Sequence, residues 1–247
     1  MTDIHHWGGK TSKARGTEKI KTVINWLYEF DFSTRQILCD LLGLDGHRGQ
    51  GGFFKKLLDD GLIEPMQSPL IRHHVYRLTD AGRELAYLHA SVDSQHARRR
   101  AASPAVQIHD LTVQLSALRR KDGLVAAISE RHISTGTAGK VPDALLVYGD
   151  HKIALEVELS HKNSARVYYN FLCHLRNINN EDYSHVEYVF PTQTLADNYK
   201  AKFLQPSWPI YKPDQNRRLK LQQGDYKLSP EHHGLIQFLV EPVYEGY

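Results

Sequence analysis

Residues 141–162 read VPDALLVYGDHKIALEVELSHK. Two short apolar runs flank the tight turn Gly149-Asp150-His151, a pattern that predicts a β-hairpin. Side chains alternate along a strand, so Glu156 and Glu158 share one face, while Leu155, Val157 and Leu159 point to the other, the expected core. Asp143 opens the first strand. In an antiparallel hairpin the start of one strand lies opposite the end of the other, which brings Asp143 toward Glu156 and Glu158. Lys162 follows just beyond. Clustered carboxylates repel unless they are protonated or neutralised by a cation. A hard ion such as Mg2+ suits them, because it takes carboxylate oxygens and keeps other positions for water or phosphate.

Around the hairpin, residues 105–120 have helical periodicity and 124–133 read as a strand. Residues 164–178 predict a helix, 186–190 a strand, 194–204 a helix and 234–243 a late strand. The order α-β-β-β-α-β is that of a mixed α/β core. The expected second domain is 105–247.

The first part of the chain differs in kind. Residues 17–30 place Ile20, Val23, Ile24 and Leu27 at helical spacing. Ser33 is the expected cap of a second helix that stops at Gly43. A third helix, 50–60, turns Phe53, Phe54, Leu57 and Leu58 inward and ends at Gly61. Residues 62–65 and 73–78 predict a two-stranded ribbon, and Thr79 caps a further helix. Three helices followed by a ribbon is the order of a winged helix-turn-helix, expected over 17–92. In that arrangement the third helix enters the major groove of double-stranded DNA, with Arg48, Gln50, Lys55 and Lys56 as the contacts. The bland alternative is that Lys55 and Lys56 are the solvated face of an amphipathic helix. Residues 93–104, polar and ending in Pro104, read as a basic linker. Arg98, Arg99 and Arg100 there could touch phosphate or serve as a solvated tether.

The 247 residues are enough for two modest domains. The net charge is only +3, and it is unevenly placed: residues 1–104 carry 15 Lys and Arg against 12 Asp and Glu, and the rest carries 16 of each. That bias favours a polyanion near the first domain. No apolar run is long enough to span a bilayer, and the first residues lack the apolar stretch of a secretory signal. Cys39 and Cys173 are too few for a disulfide framework, so the expected compartment is the cytoplasm.

Pro142-Asp143, Glu156-x-Glu158 and Lys162 within this element order resemble the PD-(D/E)xK, or restriction-endonuclease-like, nucleases. The resemblance implies Asp143 and Glu156 as ligands of Mg2+ or Mn2+, with Glu158 completing the site. The superfamily's lysine usually stands where Glu158 is, and Lys162 is placed to replace it. More narrowly, the winged helix, then HDLTVQLSAL, PDALLVY and ALEVELSHKNSARVYYNFL, resembles the plasmid replication-relaxation family and its MobC-type relaxases. That implies a site- and strand-specific nick at a plasmid transfer origin. It also implies the nicked single strand, accessory mobilisation proteins and coupling proteins as partners. His109 or Asp110 would orient water. Tyr168 or Tyr169 could form a covalent bond to the nicked strand, although core packing of one and surface exposure of the other explain them as well. Two other functions fit the same residues: a non-catalytic winged-helix regulator of plasmid replication or transcription, and a restriction-like double-strand endonuclease. The paired histidines 5–6, 73–74 and 232–233 have the wrong spacing for one metal site. Arg217, Arg218 and Lys220 form a late basic cluster that could touch DNA or be a solvated loop.

Overall fold

The computed structural model describes residues 11–44, 51–68, 71, 74–89, 103–133 and 140–245. The chain divides into two compact units, Met1–His132 with Tyr244–Tyr247, and Ile133–Val243. The described residues form a mixed α/β protein with seven α-helices and several sheets.

In the first unit, α1 (Ser12–Phe30) buries Val23, Ile24 and Leu27. It ends at Asp31, whose φ of 69° breaks the helix. A short strand, β1 (Phe32–Thr34), follows; the sequence reading did not foresee it. Ser33 is fully buried within this strand and is not the helix cap. Thr34 caps α2 (Arg35–Leu41) instead, its hydroxyl accepting from the Ile37 N–H at 3.2 Å. Next come α3 (Gly51–Asp59), β2 (Ile63–Met66), β3 (Val75–Leu78) and α4 (Asp80–His89). The strand order is β1-β3-β2, antiparallel throughout. On α3, Phe54 and Leu57 are buried, while Phe53 and Leu58 are only half-buried. Thr79 caps α4 by accepting from the Gly82 N–H at 3.1 Å. A Cβ at Gly82 would lie 2.0 Å from the Leu62 carbonyl oxygen, so only glycine allows this close approach.

Helix α5 (Pro104–Arg119) and strand β4 (Ala126–Ser129) fall in the first unit, although the sequence reading placed them in the second domain. Buried polar contacts account for this. Gln114 is fully buried; its oxygen accepts from the Trp26 indole N–H and its amide donates to the Phe32 carbonyl, both at 2.9 Å. Ser129 on β4 donates its hydroxyl to the Glu29 carbonyl at 2.6 Å. Each of these groups would be left unpaired without the others, a penalty of about 1–3 kcal/mol per group.

The second unit contains β5 (Ala144–Tyr148), β6 (His151–Val157), α6 (Ser164–Asn179), β7 (His185–Phe190), α7 (Gln193–Phe203), β8 (Ser207–Pro213), β9 (Leu219–Lys227) and β10 (Ile236–Val240). Strands β10, β7, β6 and β5 lie side by side in that order. The β5–β6 pair is antiparallel, and both other pairs are parallel. Gly149 enables the hairpin turn with a φ of 56°. Strand β6 is paired on both edges, and Ile153 to Val157 are all buried. Its two faces are therefore both core, which the alternation argument did not foresee. Phe171 of α6 packs edge-on against Tyr188, Tyr199 and Phe203. Strands β8 and β9 form a separate antiparallel ribbon. Trp208 anchors its base, fully buried, with the indole N–H donating to the Phe203 carbonyl at 3.1 Å.

Candidate active site

Pairing fixes the carboxylates at one end of the sheet. Ala144 lies opposite Leu155, so Asp143, one residue earlier, faces Glu156. The Asp143 carboxylate accepts the Val157 N–H at 2.8 Å. On the other edge Glu156 is registered with Tyr188 of β7, and the Glu158 N–H donates to the Val189 carbonyl at 2.9 Å. Strand pairing and the Asp143–Val157 hydrogen bond thus bring Asp143, Glu156 and Glu158 to the same end of the sheet.

Their environment is drier than expected. Glu156 is 1 % exposed and Glu158 2 % exposed. An isolated buried carboxylate is too costly to persist, so each needs a partner. For Glu156 the partner is Lys140, which the sequence reading missed. Its Nζ lies 2.6 Å from Glu156 Oε1. The His174 ring of α6 approaches the same oxygen at 3.3 Å. Burial works against the Lys140 charge, but Glu156, Asp143 and Glu158 outweigh it and hold the ammonium above its usual range. Burial pushes His174 below its ordinary value. The ring Nδ1 shares a hydrogen bond with the Tyr183 hydroxyl, 2.6 Å away, and Asn177 donates to that hydroxyl at 3.0 Å.

For Glu158 the partner is Lys162, whose Nζ donates at 2.6 Å. Burial raises the Glu158 carboxyl to about 7, and Lys162 only partly opposes this. The Lys162 side chain is 39 % exposed and the Lys140 side chain 16 %, so Lys162 is the more accessible of the two cations.

A hard divalent cation fits this donor set in kind, since all three side chains are carboxylates. Protein ammonium groups already contact Glu156 and Glu158, and the described residues contain no group of three His, Cys, Asp or Glu that could hold a metal.

The remaining candidates lie elsewhere. His109 and Asp110 sit on α5 in the first unit, 3.4 Å from each other. Tyr168 is buried beside Trp208 and donates its hydroxyl to Gln205 at 2.8 Å. Burial raises the pKa of both Tyr168 and Tyr169, the opposite of what an activated nucleophile needs. Lys55 and Lys56 are exposed on α3, but each meets a carboxylate one turn on, Asp59 and Asp60, at 2.8 Å. These four side chains of the helix are therefore formally neutral together. Arg48, Gln50, Arg98, Arg99 and Arg100 lie outside the described residues. Cys39 and Cys173 are both buried free thiols. Among the described residues no helix is long and apolar enough to cross a membrane.

Sequence offered a signal for both missed residues. His174 interrupts the inward stripe of Val167, Phe171 and Leu175 on α6, where a polar ring needs a reason. Lys140 stands three residues before Asp143. Comparison with protein-family models, curated proteins and solved structures found no match to this chain.

Proposed function

We propose that this chain is a DNA-nicking protein: a winged-helix DNA-binding unit joined to a restriction-endonuclease-like core of the MobC-type relaxase kind. One observation carries the reading: Asp143 and Glu156 face each other across the β5–β6 pair, with Glu158, Lys140 and Lys162 in contact around them. Two further features support it. The element order α5-β4-β5-β6-α6-β7 is the α-β-β-β-α-β order of the resemblance. The order α1-β1-α2-α3-β2-β3 agrees with a winged helix.

In this reading Lys162 presents its charge to the scissile phosphate, where an ammonium stabilises developing negative charge. Lys140 places a second positive charge 2.6 Å from the buried Glu156 carboxylate. Mg2+ or Mn2+ remains the cofactor expected from the resemblance, and a bound ion would supply a polarised phosphate and an activated water. No step is assigned to it, because the carboxylates contact lysines. A second reading is favoured by that same contact: a non-catalytic DNA-binding regulator whose former metal site is now closed by ion pairs.

Incubation of the protein with a supercoiled plasmid carrying a transfer origin, with Mg2+ or with EDTA, separates the readings. Open-circular product in Mg2+ alone supports the nickase. Linear product points to a double-strand endonuclease. Unchanged plasmid, together with a gel shift, overturns the enzyme reading in favour of the regulator.

A further inference from the structure

The β8–β9 ribbon carries a concentration of positive charge that the cleavage chemistry does not use. Lys212 and Lys220 lie directly opposite each other in the ladder. Like charges in that position destabilise a β-pair. Arg217 and Arg218 occupy the connecting turn, and all four side chains are exposed. Among the described residues none of the four is held by a carboxylate. Lys55 and Lys56 on α3 differ in this respect, since each is matched by an aspartate.

The turn is built and not merely solvated. Asp214, the nearest acid in sequence, accepts the backbone N–H groups of Asn216 and Arg218, each at 2.9 Å. Its Oδ1 is thus committed to the main chain. The Asp214 N–H donates to the Arg218 carbonyl at 2.8 Å, which closes the turn. Arg217 adopts a φ of 61°, a left-handed conformation that a non-glycine residue takes up at a cost of about 1 kcal/mol or more. Beneath the ribbon, Trp208 stacks on Tyr226 with ring centroids 5.2 Å apart. A packed base, an ordered turn and four exposed cations with no carboxylate contact among the described residues all sit on one ribbon.

We propose that the β8–β9 ribbon is a nucleic-acid-binding surface that grips the phosphate backbone of duplex DNA. Charge complementarity is the main argument, since duplex DNA is the dense polyanion that four unpaired cations suit. Shape is the second, because a two-stranded ribbon has the dimensions that a major groove admits. The two arginines add forked donors that match phosphate oxygens. An anionic membrane fits less well: the ribbon's one large exposed hydrophobe is Leu221, and surface binding to lipid needs an extended apolar face. The inference does not depend on the cleavage reading.

The test uses the full chain in EDTA, so that binding is measured without cleavage. A random-sequence 30-base-pair duplex is titrated at several salt concentrations, with fluorescence anisotropy as the readout. The variant Lys212→Ala/Arg217→Ala/Arg218→Ala/Lys220→Ala should lower the slope of log K against log salt by about 3–4, at roughly 0.9 for each phosphate that is no longer neutralised. A second variant, Arg217→Lys/Arg218→Lys, keeps the charge and should keep most of the slope. Thermal melting of both variants checks that these exposed changes leave the fold intact. An unchanged slope in the quadruple variant overturns the proposal. So does a result in which that variant loses binding to anionic phospholipid vesicles but not to DNA. If nicking fails in Mg2+ while the slope falls as expected, the cleavage reading falls and the ribbon stands. If nicking succeeds and the slope does not move, the ribbon alone falls.

Discussion

Removing Lys140 tests the central arrangement directly. Lys140→Met keeps the length and apolar stem of the side chain and deletes its charge. Glu156 then remains, 1 % exposed, beside the His174 ring, whose neutral form burial favours. Two unit charges about 4 Å apart interact by roughly 4 kcal/mol at an effective dielectric constant near 20. Breaking a buried pair by removing one partner typically destabilises by about 3–5 kcal/mol, because the other charge is left uncompensated. For a chain of this size that corresponds to a fall in melting temperature of roughly 6–20 °C. Urea unfolding followed by circular dichroism gives the free energy. The double variant Lys140→Met/Glu156→Gln should recover most of the loss, since neither charge then remains buried. A double-mutant cycle extracts the coupling. A single variant that loses less than about 1 kcal/mol, or a double variant whose loss equals the sum of the singles, would refute the ion-pair account.

Three further outcomes are expected. Burial lifts the Glu29 carboxyl to about 7 from an ordinary 4.5, against the opposing pull of the Ser129 N–H and Arg131. Between those values the folded chain keeps a proton that the unfolded chain has released, so this contribution is complete below 4.5 and is lost as pH rises through 7. Glu29→Gln should therefore gain on the wild type by roughly 2–3 kcal/mol between pH 4.5 and 8 in urea unfolding, and parallel profiles would contradict it. Lys55→Ala/Lys56→Ala should lower the salt slope of DNA binding by about 2 if α3 contacts two phosphates, because exposed pairs such as those with Asp59 and Asp60 exchange at little cost. An unchanged slope would mean that this helix face does not touch the duplex. Tyr168→Phe and Tyr169→Phe should nick supercoiled plasmid at near the wild-type rate, with no protein–DNA adduct on a denaturing gel in any variant. An adduct abolished by either change would establish a nucleophilic tyrosine.

The long elements were legible because their periodicity is strong. Helices α1 and α6 and the β5–β6 hairpin lie close to their expected positions. Short or polar elements were not. β1 has three residues, too few to display a period of two. In β8 and β9, prolines, lysines and glutamines occupy positions where alternating apolar side chains would have marked a strand. The ribbon is anchored by Trp208 and Tyr226 at its base, so the rest of it needs no apolar face. The reach of α5 into the first unit depends on Gln114, a buried polar residue whose partners lie more than 80 positions away in sequence. Linear spacing carries no trace of such a contact.

The same limit applies to the candidate site, where the carboxylates and Lys162 are legible in the sequence and Lys140 and His174 are not. Local pairing rules bring Asp143 to Glu156, and a strand's alternation brings in Glu158. Lys140 and His174 reach the site through a loop end and a helix that packs over the sheet. The resulting charge balance narrows what the site can be. Three carboxylates stand against two ammonium groups, which leaves one formal negative charge in a buried setting. Burial is the main cause of the rise of Glu158 to about 7, and the neighbouring Glu156 and Asp143 carboxylates add to it against the pull of Lys162. Such a cluster is a poor way to stabilise a sheet: apolar side chains of similar volume often do as well or better than a buried ion pair. A strand interior needed only for folding would be served by leucine at positions 156 and 158. Stability therefore does not account for the cluster, and a function for the charges does. The two lysines differ in exposure: Lys140 lies against Glu156 with its side chain 16 % exposed, and Lys162, at 39 %, is the cation that the proposed nuclease reading would offer to a phosphate.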